Sequence, residues 1–155
     1  LGAHTHALWC RARWARARTH ARTHTRIHTR EREALRRARL ERSIKPAGAH
    51  RTLNGKTRFL ATENLAVREH GKALHWACAG CATDLGPIKD NYKERCARDD
   101  RPIETSNPIV GDPQRFIDPT PQFRQFCCPA CGRLIENEIA RADDPLLTDI
   151  ELRLK

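Results

Sequence analysis

Two Cys-x-x-Cys pairs are the residues best suited to chemistry in this chain: Cys78-Ala79-Gly80-Cys81 and Cys128-Pro129-Ala130-Cys131. Two intervening residues let a tight turn aim both thiolates at one point. Two such turns complete a tetrahedral four-sulfur shell, the closed geometry of structural zinc. Pro129 stiffens the second turn, and Gly132 after it supplies the backbone freedom such a turn needs. The reading is a zinc site with Cys78, Cys81, Cys128 and Cys131 as ligands; two disulfides or four free thiols are the alternatives. A shell filled by four sulfurs has no open position for water or substrate, so the metal is expected to be structural. His70 and His75 lie near the first pair, but a complete set of cysteines leaves them no place. No Ser stands in a nucleophile context and no Gly-rich phosphate loop follows a strand. No catalytic and no cofactor-binding residues are therefore expected.

The pairs need elements to position them. Leu65-Ala66-Val67-Arg68-Glu69-His70 and Ala73-Leu74-His75-Trp76-Ala77 flank Gly71-Lys72 and read as a β-hairpin whose returning strand runs into Cys78. Phe123-Arg124-Gln125-Phe126-Cys127 reads as the strand entering the second turn, with Cys127 facing away from the metal. Leu134 to Ile139 leaves that turn as its partner strand. A last strand is expected where Leu146, Thr148, Ile150, Leu152 and Leu154 alternate with Leu147, Asp149, Glu151 and Arg153. The 46 residues between Cys81 and Cys128 exceed the common ribbon spacing and should fold as an insert. Within it Ile88, Tyr92 and Cys96 form one stripe of a short helix, with Cys96 as a small buried apolar residue. Residues 99–122, with prolines at 102, 108, 113, 119 and 121, read as a long Pro-rich loop whose order depends on a partner surface. Its Asp99, Asp100, Asp112 and Asp118 read as solvated loop charges.

Charge divides the chain of 155 residues. Residues 1–58 hold 16 Lys/Arg against 3 Glu, whereas residues 59–155 hold 13 Lys/Arg against 16 Asp/Glu. The expected organisation is a low-complexity basic leader and linker at 1–58 and a zinc-ribbon-like domain at 59–155. The fold class is small α+β, mainly β, with a poorly ordered leader. The Arg/Ala alternation of residues 11–18 and the Thr-His repeats after it offer little apolar surface to bury. His20, His24 and His28 share a helical face, but low-complexity repetition accounts for them. Residues 31–42 suit a short surface helix, and residues 1–45 are expected to offer the domain no core-forming face. Pro46-Ala47-Gly48 and Leu53-Asn54-Gly55 mark a linker. The chain has no Met and begins with Leu1, so an over-extended gene model is one explanation of the leader and a basic nucleic-acid-binding arm is the other. No apolar run is long enough to span a membrane and no secretory signal opens the chain, which fits a reducing cytoplasm.

The order Cys-x-x-Cys, Asp84-Leu85-Gly86, Asn91-Tyr92-Lys93, Arg124-Gln125-Phe126-Cys127-Cys128-Pro129-Ala130-Cys131-Gly132, Leu134-Ile135-Glu136, then Asp144-Pro145 and Asp149 resembles the small gamma subunits of acetone carboxylase and its acetophenone carboxylase relatives. The resemblance covers about residues 63–152. Ala82-Thr83 stands where those subunits have Gly-His, and Tyr92 where they have Trp. It implies a non-catalytic zinc-bearing subunit of an ATP-dependent ketone or aromatic-ketone carboxylase. Its partners would be large subunits similar to hydantoinase A and B proteins, which would bind ATP and carry out the chemistry. The alternative function is a free-standing zinc ribbon binding nucleic acid through its basic leader. That needs basic and aromatic residues on the ribbon, and the ribbon half is acidic.

Overall fold

The computed structural model describes residues 29–106 and 121–152. The leader repeats, Cys10, the His20/His24/His28 stripe, and most of the Pro-rich stretch with Asp112 and Asp118 lie outside the described residues. The chain divides into two compact units, residues 1–35 and 36–155. Of the first, the described residues 29–35 are helical, and helix α1 runs over 29–42. The second unit contains two antiparallel sheets.

The first sheet consists of β1 (Thr57–Leu60), β2 (Leu65–His70), β3 (Ala73–Cys78) and β4 (Asp84–Pro87), in that spatial order. The expected hairpin is present: Gly71, at φ +61°, begins the two-residue turn, and Val67 pairs with Trp76 and Leu65 with Cys78. A two-residue hairpin turn that matches strand twist needs positive φ, which glycine adopts without a Cβ clash. Leu65, Val67, Trp76 and Cys78 are fully buried, so this register points the apolar face of both strands into the core. The second sheet consists of β5 (Ala97–Pro102), β6 (Gln122–Cys127) and β7 (Leu134–Ala140), in that order. Phe126 and Ile135 bring its inner face into the same cluster as Trp76 and Tyr92. One core therefore serves both sheets, and both cysteine pairs lie at its margin. None of the described helices is long and apolar enough to cross a membrane.

Four segments differ from expectation. The stripe Ile88/Tyr92/Cys96 folds as a single 3-10 turn, Tyr92–Arg95. The Asn91 side chain caps it by accepting from Lys93 N–H at 3.1 Å, and Cys96 N–H closes it on Lys93 C=O at 3.1 Å. Tyr92 and Cys96 are buried all the same. Asp99 and Asp100 sit on β5 rather than in a loop, and Asp99 is buried against Arg42 at 3.1 Å. Residues 145–152 form no strand. Leu146, Ile150 and Leu152 still pack on the core, so the alternation reports sidedness, while side-chain bonds replace the ladder that would make it a strand.

The fourth difference lies in residues 36–58. Ile44 exchanges both backbone hydrogen bonds with Arg98 of β5, at 2.7 and 2.9 Å. Leu53 is buried, Thr52 bridges Thr83, and Leu53 N–H reaches Ala82 C=O at 2.8 Å. Turn-forming residues mark a change of direction here, and the chain between the turns is bound to the domain.

Candidate metal centre

Each cysteine pair caps a hairpin. β3 ends on Cys78, the chain turns through Cys81, and β4 returns at Asp84; β6 ends on Cys127, the chain turns through Cys131, and β7 returns at Leu134. The two turns share one backbone pattern. Cys78 N–H donates to Thr83 C=O at 3.0 Å and Cys128 N–H to Arg133 C=O at 2.8 Å. Ala82 N–H and Gly132 N–H donate back to Cys78 C=O and Cys128 C=O, both at 2.9 Å. Ala82 and Gly132 both take the left-handed conformation, at φ 58° and 67°.

The four sulfurs lie within 4.8 Å of one another. Cys78 Sγ is 3.7 Å from Cys131 Sγ, and Cys81 Sγ is 3.5 Å from Cys128 Sγ. Zinc–sulfur bonds of about 2.3 Å in a tetrahedron place sulfurs about 3.8 Å apart, whereas a disulfide holds them at about 2.05 Å. The cysteines are free thiols at metal-cage spacing. This set can hold a metal ion, and the donor chemistry suits a soft or borderline divalent cation.

Electrostatics points the same way. Hydrogen bonds from Cys131 and Cys78, aided by backbone N–H groups of Cys131 and Ala130, hold the Cys128 thiol far below its usual range. The same contacts push Cys78 far up, and the bond to Cys128 pushes Cys131 up to about 11. Crowding the thiols together thus favours one thiolate and disfavours its neighbours. Full ionisation of such a cluster requires a cation among the sulfurs. Two arginines sit beside the turns. Arg39 donates to Gly132 C=O at 3.1 Å, and the Arg133 guanidinium lies against Gly80 and reaches Asn64 Oδ1 at 3.1 Å. Their buried Nε atoms have no hydrogen-bond partner.

The structure brings Cys78, Cys81, Cys128 and Cys131 together and leaves the other candidates out. Cys127 Sγ contacts Ser43 Oγ and Ala97 C=O, both at 3.4 Å, and burial pushes its thiol up. Cys96 is buried, and its thiol is likewise raised by burial. His75 Nδ1 bonds Asp84 Oδ1 at 2.9 Å, and His70 packs edge-on against His75. Sequence reasoning missed the hydroxyl of Thr83, 3.0 Å from Cys81 Sγ, and both arginines.

A second polar centre was also missed. Lys93 and Arg124, whose side chains are each 1% exposed, both bind Glu138: Lys93 Nζ at 2.9 Å to Oε2 and Arg124 Nη1 at 3.2 Å to Oε1. Asp149 completes the group, 3.4 Å from Lys93 Nζ and accepting from the Tyr92 hydroxyl at 2.9 and 3.1 Å. Two cations face two anions, which is the condition for burying any of them. Arg124 also donates to the carbonyls of Arg141, Ala142 and Asp144, and Glu138 accepts from Leu147 N–H. These bonds tie residues 141–149 down without a strand. Asn91-Tyr92-Lys93, Arg124 and Asp149 all stand in the motif order quoted above, and here they meet.

The family described as acetone carboxylase gamma subunit matches residues 56–155. The acetophenone carboxylase beta subunit of Aromatoleum aromaticum is 35% identical to this chain over 81 residues, covering 50% of this chain and 63% of that relative. The chain thus spans less than two thirds of that relative's length. The matched residues contain both cysteine turns and all four members of the buried ionic group. The chain belongs to the acetone carboxylase gamma subunit family.

Proposed function

We propose that this chain is the non-catalytic, zinc-bearing small subunit of an ATP-dependent ketone or aromatic-ketone carboxylase, a cytoplasmic hetero-oligomeric ligase. The observation that carries the reading is the closed four-sulfur set at the junction of the two hairpins, within residues matched to a carboxylase subunit family. Cys78, Cys81, Cys128 and Cys131 would hold zinc, which supplies structural cross-linking and no open coordination position. The chain's own residues then have a mechanical task. The turn hydrogen bonds fix the sulfurs, Arg39 and Arg133 brace the turns through Gly132 C=O and Asn64 Oδ1, and the Lys93/Glu138/Arg124/Asp149 group holds the C-terminal segment against the second sheet. A rigid two-sheet body of this kind suits a clamp on larger subunits. Those partners would be hydantoinase A- and B-like and would bind ATP and carry out phosphorylation and carboxylation.

The test is co-expression of the large subunits with and without this chain, followed by size-exclusion chromatography and ATPase assay. Ketone-dependent ATP hydrolysis should appear only in the assembly that contains this chain, and the chain alone should show none. A fully active assembly formed without it removes the reading. Tight nucleic-acid binding by the full-length chain alone would favour the free-standing ribbon.

A further inference from the structure

Asp84-Leu85-Gly86 lies just beyond the first cysteine turn, and it positions two arginines. The Asp84 carboxylate is spent internally: Oδ1 accepts from Gly86 N–H and faces His75 Nδ1, both at 2.9 Å, and Oδ2 accepts from Arg51. Its side chain is 5% exposed. Only one Arg51 nitrogen is used in this bond, so the guanidinium keeps further N–H donors directed elsewhere. Gly86 holds the second arginine. At φ +98° it has no Cβ, and a Cβ there would stand 2.8 Å from Arg95 Nε and 2.9 Å from its Cδ. The Arg95 side chain therefore lies flat on the glycine. Arg95 makes no ion pair among the described residues.

Arg51 and Arg95 line one pocket of about 320 Å³ together with Pro46, Ala47, Ala49, His50 and Asp84, whose carboxylate is already taken up by Arg51, His75 and Gly86 N–H. Two forked donors, one oriented by a buried carboxylate and one by contact with a glycine, thus line the same pocket, which has room for a molecule that carries an anionic group. Guanidinium forks match the planar or tetrahedral oxygens of carboxylates and phosphates. We propose that this pocket binds a small oxyanion, a phosphate or carboxylate group held between Arg51 and Arg95. The site belongs to the isolated chain and requires no partner subunit, so it goes beyond the subunit role.

The experiment uses the full-length zinc-loaded chain. The arginine Nε–Hε NMR signals are followed at pH 6 while inorganic phosphate or acetate replaces chloride at constant ionic strength. Saturable shifts at Arg51 and Arg95 are expected. Arg95→Gln, an exposed change, should weaken binding by about tenfold, whereas Lys72→Gln at the hairpin turn should leave it unchanged. Tighter binding of phosphate identifies a phosphate site, and tighter binding of acetate a carboxylate site. Shifts that grow without saturation, or equal affinity in Arg95→Gln, overturn the proposal, and wild-type saturation decides the matter even if the variant folds poorly.

Discussion

Ala82 and Gly132 occupy equivalent positions in the two cysteine turns, both left-handed, at φ 58° and 67°. Only one of them is the residue that such a position favours. An L-residue in this conformation sets Cβ against its own carbonyl, at a cost of about 1 kcal/mol. Ala82→Gly should therefore stabilise the fold by about 0.5 kcal/mol, the strain relieved less the added chain entropy of glycine. Gly132→Ala should destabilise it by about 2 kcal/mol or more, because strain is joined by collision. Its Cβ would stand 2.5 Å from the Arg36 carbonyl oxygen and 3.0 Å from Leu40 Cγ. Urea unfolding of both variants checks the pair; equal effects would refute the asymmetry.

Metal content should follow the four converging sulfurs. Ser substitution of Cys78, Cys81, Cys128 or Cys131 should abolish stoichiometric zinc, and Cys96→Ser or Cys127→Ser should retain it. Metal analysis of the purified variants decides. Zinc loss in Cys127→Ser with retention in Cys128→Ser would shift the ligand register by one residue.

The ionic group around Glu138 should be costly to break. Glu138→Gln leaves Lys93 and Arg124 buried with a neutral partner, and about 3–5 kcal/mol of stability should be lost. Asp149→Asn, at the more exposed end, should cost less. Tyr92→Phe should lose little more once Asp149 is already replaced, a coupling that a double-mutant cycle measures.

Asp84 gives a pH dependence of fixed sign. Burial alone would raise its pKa, but hydrogen bonds from Arg51 and His75 override this and hold the carboxyl at about 2, below its ordinary value of 3.8. A depressed folded pKa contributes stability above the unfolded pKa that is lost as pH falls through the folded one. The stability gap between wild type and Arg51→Gln should therefore be constant from about pH 5 to 8 and narrow between about pH 4 and 2. A gap that widens on acidification would reverse the assignment.

Local pattern and long-range partnership were not equally legible in the sequence. The β2–β3 hairpin was readable because Gly71 and the period-2 apolar residues agree. The cysteine turns were readable because ligand spacing is itself local. The ionic group was not, because its bonds join residues 14, 45 and 57 positions apart and no local period records them. Asp84 was opaque for a related reason: its role depends on Arg51 arriving from a segment that composition marks as linker. The C-terminal alternation showed which residues face inward and was silent on hydrogen bonding.

Residues 36–45 give a further prediction. Arg39 reaches Gly132, Arg42 pairs with Asp99, and Ile44 extends the second sheet at Arg98. A chain of residues 46–155 should be less stable than one of residues 36–155 by about 2 kcal/mol, the worth of several partly exposed bonds. Equal melting temperatures would show this segment to be dispensable.

The cysteine pairs cap separate hairpins on separate sheets, with 46 residues between them. Each hairpin is a short-range structure that can form early and alone, whereas the sulfur junction closes a long loop. A permanent link across a loop of that length removes unfolded-chain entropy worth about 4 kcal/mol. A bound ion thus acts as a reversible staple, and stripping it with chelator should leave two locally paired ribbons whose mutual docking has become the slow and fragile step of refolding.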